Sequence, residues 1–335
     1  MPLLGVPVIS HVMNVVAAAG IAEVILAVNP GEGDVVAAAK SALPGHVKIS
    51  AIEVGASRGL PEIILAGSHL LGDEPFVFYL ADNLFEHEIA GCLRKFESIP
   101  GCDCCVAIVE SRNPERFGAA RLCGDRPSQF EEKPLQTFGM ETVAGLYAYS
   151  PRVLQATADL LRAATRETSI SALHQHFLDS GYCVTSVKSQ GWWRDIGSVT
   201  DYREANELML EALGALQNGS PSLSSRTQGQ PGIDPTAEVI DSIVTAPCFI
   251  SEGCRIERST VGPYVVLGAG SVVVDSSINH TVILPGCRVN AGASVSRSVL
   301  GEECELSGPG QFADSRQISV ILGDGCVVRL AHEPE

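Results

Sequence analysis

"MPLLGVPVISHVMNVVAAAGIAEVILAVNP", Met1 to Pro30, reads as a helix from Val8 to Ala19, a stop at Gly20 and an apolar strand from Glu23 to Val28. Glycine closes helices because it enters the left-handed cap conformation without a steric cost. A short Val- and Ile-rich run bounded by turn residues reads as a strand. Helix followed by strand is the middle of an α/β unit. A parallel sheet normally opens on a strand whose turn into the first helix does the ligand work, and no such strand lies in this stretch.

Outward from it, the same alternation continues to about Leu216. Strand candidates are "EVILAV", "HVKISAIEV", "PFVFYLA", "CCVAIVE" and "VAGLYAYS", with helical stretches between them at Pro61–Leu71 and Pro151–Ala164. This is an α/β layout with a mixed, mostly parallel sheet, closed by a helix over Asp201–Leu216. Residues 217–232, "QNGSPSLSSRTQGQPG", are Gly-, Ser-, Pro- and Gln-rich and read as a linker. From 233 to 331 helical periodicity vanishes and short units recur: "FISEGCRI", "VVLGAGSVV", "VILPGCRV", "VILGDGCVV". Such units predict a parallel β-helix whose coils stack their apolar residues. Cys254, Cys287, Cys304 and Cys326 share one phase of the unit, where Ser271 and Ala293 stand elsewhere, so they read as small interior residues.

The formal net charge of −16 argues against an extended nucleic-acid surface, which needs clustered Lys and Arg. It is compatible with phosphorylated small molecules bridged to carboxylates by a divalent cation. No apolar run is long enough to span a bilayer and no secretory signal opens the chain, so a cytoplasmic location is expected. Of the eleven cysteines, "GCDCC" (Gly101–Cys105) has no second Cys/His pair at ligand spacing, and reduced thiols are expected.

Three stretches could carry chemistry. In "FVFYLADNLF", Asp82 follows an apolar strand, where ligands of open sheets gather; the bland reading is a turn aspartate. In "FEEKP", Pro134 stiffens the chain after Glu132 and Lys133; a Glu can accept from sugar hydroxyls and a Lys can meet a phosphate, or the segment is a solvated turn. In "QGWWRDIGSVTDYREAN", Asp195 lies between tryptophans and Gly197 and could hold a cation in dehydrated surroundings, or cap a helix.

Taken together, their order and spacing resemble the sugar-phosphate nucleotidylyltransferases, most closely the long form of glucose-1-phosphate thymidylyltransferase. "YLADN" looks like the family's L-G-D-N, "ERFG" and "EEKP" like its R-F-G and E-K-P, and "VAGLYAYSP" like its V-G-x-Y-x-Y/F. "GWWRDIGSVTDYREAN" is similar to its G-W-W-x-D-x-G segment, and "VILGDGCVVRL" looks like the end of the long form's left-handed β-helix. The resemblance implies a Rossmann-like nucleotidyltransferase domain (1–216) and a left-handed β-helix (233–331), expected to serve as a homo-oligomer surface. It also implies transfer of a nucleoside monophosphate from an NTP, dTTP, to a sugar 1-phosphate, glucose 1-phosphate, with release of pyrophosphate. Asp82 and Asp195 would hold Mg²⁺ and be the catalytic pair. Glu132 would bind sugar hydroxyls, Lys133 the sugar phosphate, and Gly118 and Gly145 would admit the sugar; Gly59, Asn83 and Trp193 complete the expected substrate contacts.

Some positions depart from that pattern. The family's first strand and its G-G-x-G-T-R-L loop would precede Met1, and without the loop's anion-binding N–H groups the activity of this chain is expected to be impaired. That strand lies centrally in the family, so its neighbours would be left with unpaired edges. Val54 stands where a base-reading Gln is expected, Ala81 replaces a glycine, and "SISA" (Ser169–Ala172) stands for E-I-T-D. Two alternatives follow: a weakly active or inactive regulatory paralogue that binds a nucleotide sugar, and acyl transfer by the β-helix through His280.

Overall fold

The computed structural model describes residues 1–55, 57, 59–86, 89–137, 139–216, 223–224, 232–310 and 317–330. By contacts the chain divides into two compact units, Val8–Asp195 and Met1–Pro7 with Ile196–Glu335. The chain opens with a hairpin, β1 (Pro2–Leu3) and β2 (Val6–Pro7), which belongs to the second unit.

The first unit begins with α1 (Val8–Ala18), which buries Ile9, Val12, Met13 and Val16, the i, i+3, i+4, i+7 stripe of an amphipathic helix. It stops before Gly20 at φ +78°, and β3 (Glu23–Val28) follows within the expected bounds. Next come α2 (Gly33–Ala42), β4 (Lys48–Glu53), α3 (Leu60–Leu71), β5 (Phe76–Tyr79), β6 (Asn83–Phe85) and α4 (Ile89–Glu97). The rest is β7 (Cys104–Glu110), β8 (Gly118–Cys123), β9 (Arg126–Glu132), β10 (Glu141–Tyr149), α5 (Val153–Ala163), α6 (Ile170–Asp179), β11 (Val184–Lys188) and β12 (Trp193–Asp195).

The main sheet is organised by β10. Along one edge it pairs β7; along the other it pairs β8 through Thr142 and then β5 through Leu146–Tyr149. The fork between β8 and β5 falls at Gly145, where the ladder to β7 also shifts register. The sheet is mixed, as expected, but a mostly parallel one is not seen. Among the described residues only β11–β7 is parallel within it, and β3–β4 form a separate parallel pair. The reason is β10, which runs against all three of its neighbours. One edge of β3 and one of β5 have no ladder partner among the described residues. Under the sheet, Ile64, Val106, Ile108, Tyr149, Leu173 and Phe177 form the core; burying a side chain such as Phe177 contributes about 2–3 kcal/mol. Cys104 is fully buried there and Cys105 is fully buried next to it in the strand, and burial pushes the neighbouring Cys102 thiol up to about 12, so these thiols pack as small apolar groups.

In the second unit, three stacks of short parallel strands form a β-helix. One face stacks Val239, Ile256, Val273, Val289, Leu306 and Val328 inward; a second stacks Val244, Val261, Ile278 and Val295; a third stacks Ile250, Leu267, Ile283, Leu300 and Leu322. Cys254, Ser271, Cys287 and Cys304 are buried in the turn before the first face, and the three thiols donate to the carbonyls of Gly268, Gly301 and Gly323. Ala293 fills the corresponding turn before the second face. Buried serines bond coil to coil: Ser259 N–H donates to Ser242 Oγ and Ser276 N–H to Ser259 Oγ. Helix α7 (Val199–Leu216) packs on the third face, holding the hairpin through Leu4 N–H to Asn206 Oδ1 (3.1 Å) and Tyr202 O–H to Pro2 O. Of the expected linker, only Leu223–Ser224 and Gly232 lie inside the described residues; residue 331 lies outside them.

Candidate functional site

The fork in the sheet is where the expected residues gather. Because β10 parts from β8 at Gly145, a short antiparallel ribbon, β6–β12, finds its place, with Asp195 directly opposite Asn83 and therefore next to Asp82. Asn83 is the hub. Its Oδ1 accepts Gly145 N–H (3.1 Å) and Trp193 Nε1–H (2.8 Å), and its Nδ2 donates to Asp82 Oδ1 (2.8 Å). Tyr79 O–H donates to Asn83 O (2.7 Å), and Leu80 N–H to Gly145 O (2.8 Å). Gly145 is required by closeness: a Cβ there would lie 2.7 Å from Asn83 Cγ and 2.8 Å from Leu80 Cβ.

Glu132 ends β9 opposite Gly118, and Lys133 N–H donates to Phe117 O (2.9 Å). Phe117 in turn meets the Trp193 ring edge-on at 5.1 Å, which ties this segment to the ribbon. Lys133 sits at φ +44°, a left-handed conformation that is costly for a side-chain-bearing residue and more so before a proline. Strain of this kind persists where the surroundings over-determine it, and it clusters at functional sites.

Tyr147, fully buried on β10, registers the convergence. Its phenol is pushed up first by burial and then by the nearby carboxylates of Glu132, Asp82 and Asp195. Three carboxylates from three chain segments thus lie within electrostatic reach of one ring. A cavity of about 420 Å³ has Glu132 in its wall together with Phe130, Ser169, Ala172 and Gln175. A larger one of about 480 Å³, walled by Leu4, Phe249, Val266 and Pro285, contains none of the candidate residues and belongs to the β-helix unit.

Two family models match the chain: nucleotidyl transferase over residues 1–212, and the GlmU-like C-terminal hexapeptide over 233–313. A glucose-1-phosphate thymidylyltransferase of Streptomyces griseus is 30% identical over 286 residues, covering 85% of this chain and 80% of its own. Mannose-1-phosphate guanylyltransferase 1 of Arabidopsis thaliana is 24% identical, covering 76% and 72%. The chain belongs to the nucleotidyl transferase family. A solved UDP-glucose pyrophosphorylase carrying UDP-glucose shares the fold at a TM-score of 0.54 and 20% identity, over 63% of this chain and 89% of that one.

Against the nucleotidyl transferase pattern, Asp82, Asn83, Gly118, Glu132, Lys133, Gly145, Trp193 and Asp195 are linked by contacts around the fork. Gly59 is held elsewhere, at the start of α3, with φ +111°; a Cβ there would lie 2.2 Å from Thr168 O, just ahead of α6. Ser171 on α6 is a site residue that sequence reasoning noted only as a departure. It is fully buried, its hydroxyl donates to Glu132 Oε2 (2.7 Å), and a Cβ on Gly118 would fall 2.2 Å from its Oγ. The signal available was its place in "SISA". His280, in the β-helix unit, is stacked on Tyr264 at 4.9 Å with Nδ1 3.1 Å from Glu207 Oε1 of α7.

The donor set suits Mg²⁺. Among the described residues no three His, Cys, Asp or Glu side chains form a cage. Asp82 and Asp195 are the residues that could hold it: their carboxylates are hard oxygen donors, and Mg²⁺ is commonly held by one or two carboxylates together with phosphates and waters.

Proposed function

We propose that this chain is a sugar-phosphate nucleotidylyltransferase that joins an NTP and a sugar 1-phosphate into an NDP-sugar and pyrophosphate, with dTTP and glucose 1-phosphate as its substrates. The observation that carries the reading is the ladder setting Asp195 opposite Asn83 and beside Asp82, with Glu132 and Lys133 tied to the same ribbon through Phe117 and Trp193.

An anionic oxygen of the sugar phosphate forms the new bond to the α-phosphorus of the NTP. The bond from that phosphorus to the bridging oxygen of the β-phosphate breaks, and pyrophosphate leaves with the electron pair. The nucleophile is already charged, so no strong base is needed and catalysis is alignment and charge neutralisation. Asp82 and Asp195 would hold Mg²⁺, which when bound neutralises phosphate charge. Lys133 meets the sugar phosphate as a point charge. Glu132, with Oε2 fixed by Ser171, orients the sugar through its hydroxyls, and Gly118 and Gly145 let the backbone approach it.

The test is pyrophosphate release from Mg²⁺, dTTP and glucose 1-phosphate, in parallel with Asp195→Asn. Release that depends on Asp195 supports the reading; a wild-type protein that binds both substrates yet releases nothing refutes it. A second reading, binding of a nucleotide sugar without turnover, is favoured by Val54 and Ala81, which stand where a Gln and a glycine are expected. Tight dTDP-glucose binding without pyrophosphate release is its signature.

A further inference from the structure

The ribbon that brings the aspartates together is only three residues long on each strand, Asn83–Phe85 against Trp193–Asp195. So short a two-stranded pairing is marginal by itself, and its register must be fixed from outside the ladder. At the aspartate end, the Asn83 side chain does this by accepting Trp193 Nε1–H. At the open end the fixing group is Glu86. Its Oε2 accepts Trp192 N–H at 3.2 Å, and its own N–H donates to Trp192 O at 3.2 Å.

The carboxylate also fills the space beside Gly191. A Cβ on Gly191 would lie 2.4 Å from Glu86 Oε2 and 3.1 Å from Glu86 Cβ, and Gly191 has φ +104°, where glycine alone is comfortable. Glu86 and the Gly191–Trp192 backbone are therefore fitted to each other.

We infer that Glu86 is a positioning residue: by pinning Gly191 and Trp192 it fixes the register that sets Asp195 opposite Asn83, and thereby how well Asp82 and Asp195 accept a divalent cation. A slip of one residue would turn Asp195 to the other face of the ribbon. This rests on the reading of Asp82 and Asp195 as the cation-holding pair.

Trp192 and Trp193 are the chain's only tryptophans, so selectively excited tryptophan fluorescence reports on the pinned segment alone. Mg²⁺ is titrated in the presence of dTTP and followed both by tryptophan emission and by pyrophosphate release with glucose 1-phosphate. In Glu86→Ala the Mg²⁺ half-saturation should rise roughly tenfold by both readouts, as when an orienting partner of a metal ligand is lost, while turnover at saturating Mg²⁺ stays within about twofold. Glu86→Gln keeps an oxygen that accepts the Trp192 N–H and should follow the wild type. An unchanged half-saturation in Glu86→Ala overturns the inference, as does a Gln variant impaired like Ala, which would assign the effect to charge. A wild-type protein with no Mg²⁺ response in either readout refutes the two-aspartate reading itself, and the inference with it.

Discussion

Asp195 stands directly across the ladder from Asn83, and the Asn83 amide simultaneously holds Asp82, Gly145 and Trp193. One residue, by its side chain and its place in the ladder, thus connects both aspartates to the fork in the main sheet. Asn83 is 4% exposed, so its removal leaves Gly145 N–H and Trp193 Nε1–H without their acceptor. Asn83→Ala should destabilise by about 3 kcal/mol, read as a lower urea midpoint. It should also weaken Mg²⁺ dependence, because Asp82 loses its orienting donor.

The contact between Ser171 and Glu132 gives a paired prediction. Ser171→Ala removes the donor to Glu132 Oε2, a loss of about 1 kcal/mol, or about fivefold in KM for the sugar 1-phosphate, with KM for the NTP unchanged. Gly118→Ala displaces the Ser171 hydroxyl and should cost at least as much. Because both changes break the same bond, the double variant should be no worse than Gly118→Ala alone. Additive losses in steady-state kinetics would contradict the shared contact.

Lys133 separates stability from function. Glycine is at ease at φ +44°, so Lys133→Gly should relax strain and stabilise the fold by about 0.5–1 kcal/mol, or at least not weaken it. The same variant loses the charge proposed to meet the sugar phosphate, so KM for that substrate should rise. A thermal melt and a KM determination on one preparation test both halves.

His174 predicts an acid limit. It is fully buried, hydrogen-bonded to Tyr149 O–H at 2.7 Å, and burial lowers its pKa from 6.5 to about 3. The unfolded chain then binds a proton that the folded one refuses between those values. This group's contribution is full above about pH 6.5 and is lost as the pH falls toward 3. From pH 7.5 to pH 5 the loss is about 2 kcal/mol. His174→Phe should flatten that part of the denaturation profile.

Legibility in the sequence followed locality. The bounds of β3 and the α1 stripe were readable because a helical period and a Val- and Ile-rich run are local signals, and the β-helix because its repeat shows itself many times. The buried cysteines at one phase of that repeat followed from the same regularity. Strand direction was not readable: a parallel majority is the default for alternating β and α, and nothing local shows that β10 runs against β5, β7 and β8. The proposed partnership of Asp82 and Asp195 could be suspected only by resemblance, since it depends on a cross-strand register more than a hundred residues apart. Ser171 was visible as a departure but not as a bond to Glu132. Glu86 gave no signal, because its role lies in one backbone contact and in the space left by a glycine.

The central claim is that Asp82 and Asp195 grip one divalent cation at the fork of the sheet. The most direct measurement is a crystal structure of the protein with Mg²⁺ and dTDP-glucose. The prediction is a cation with an oxygen of each aspartate at about 2.1 Å and the nucleotide's phosphates completing its shell. A nucleotide sugar bound with its phosphates away from both aspartates, or a cation coordinated without either of them, would contradict it.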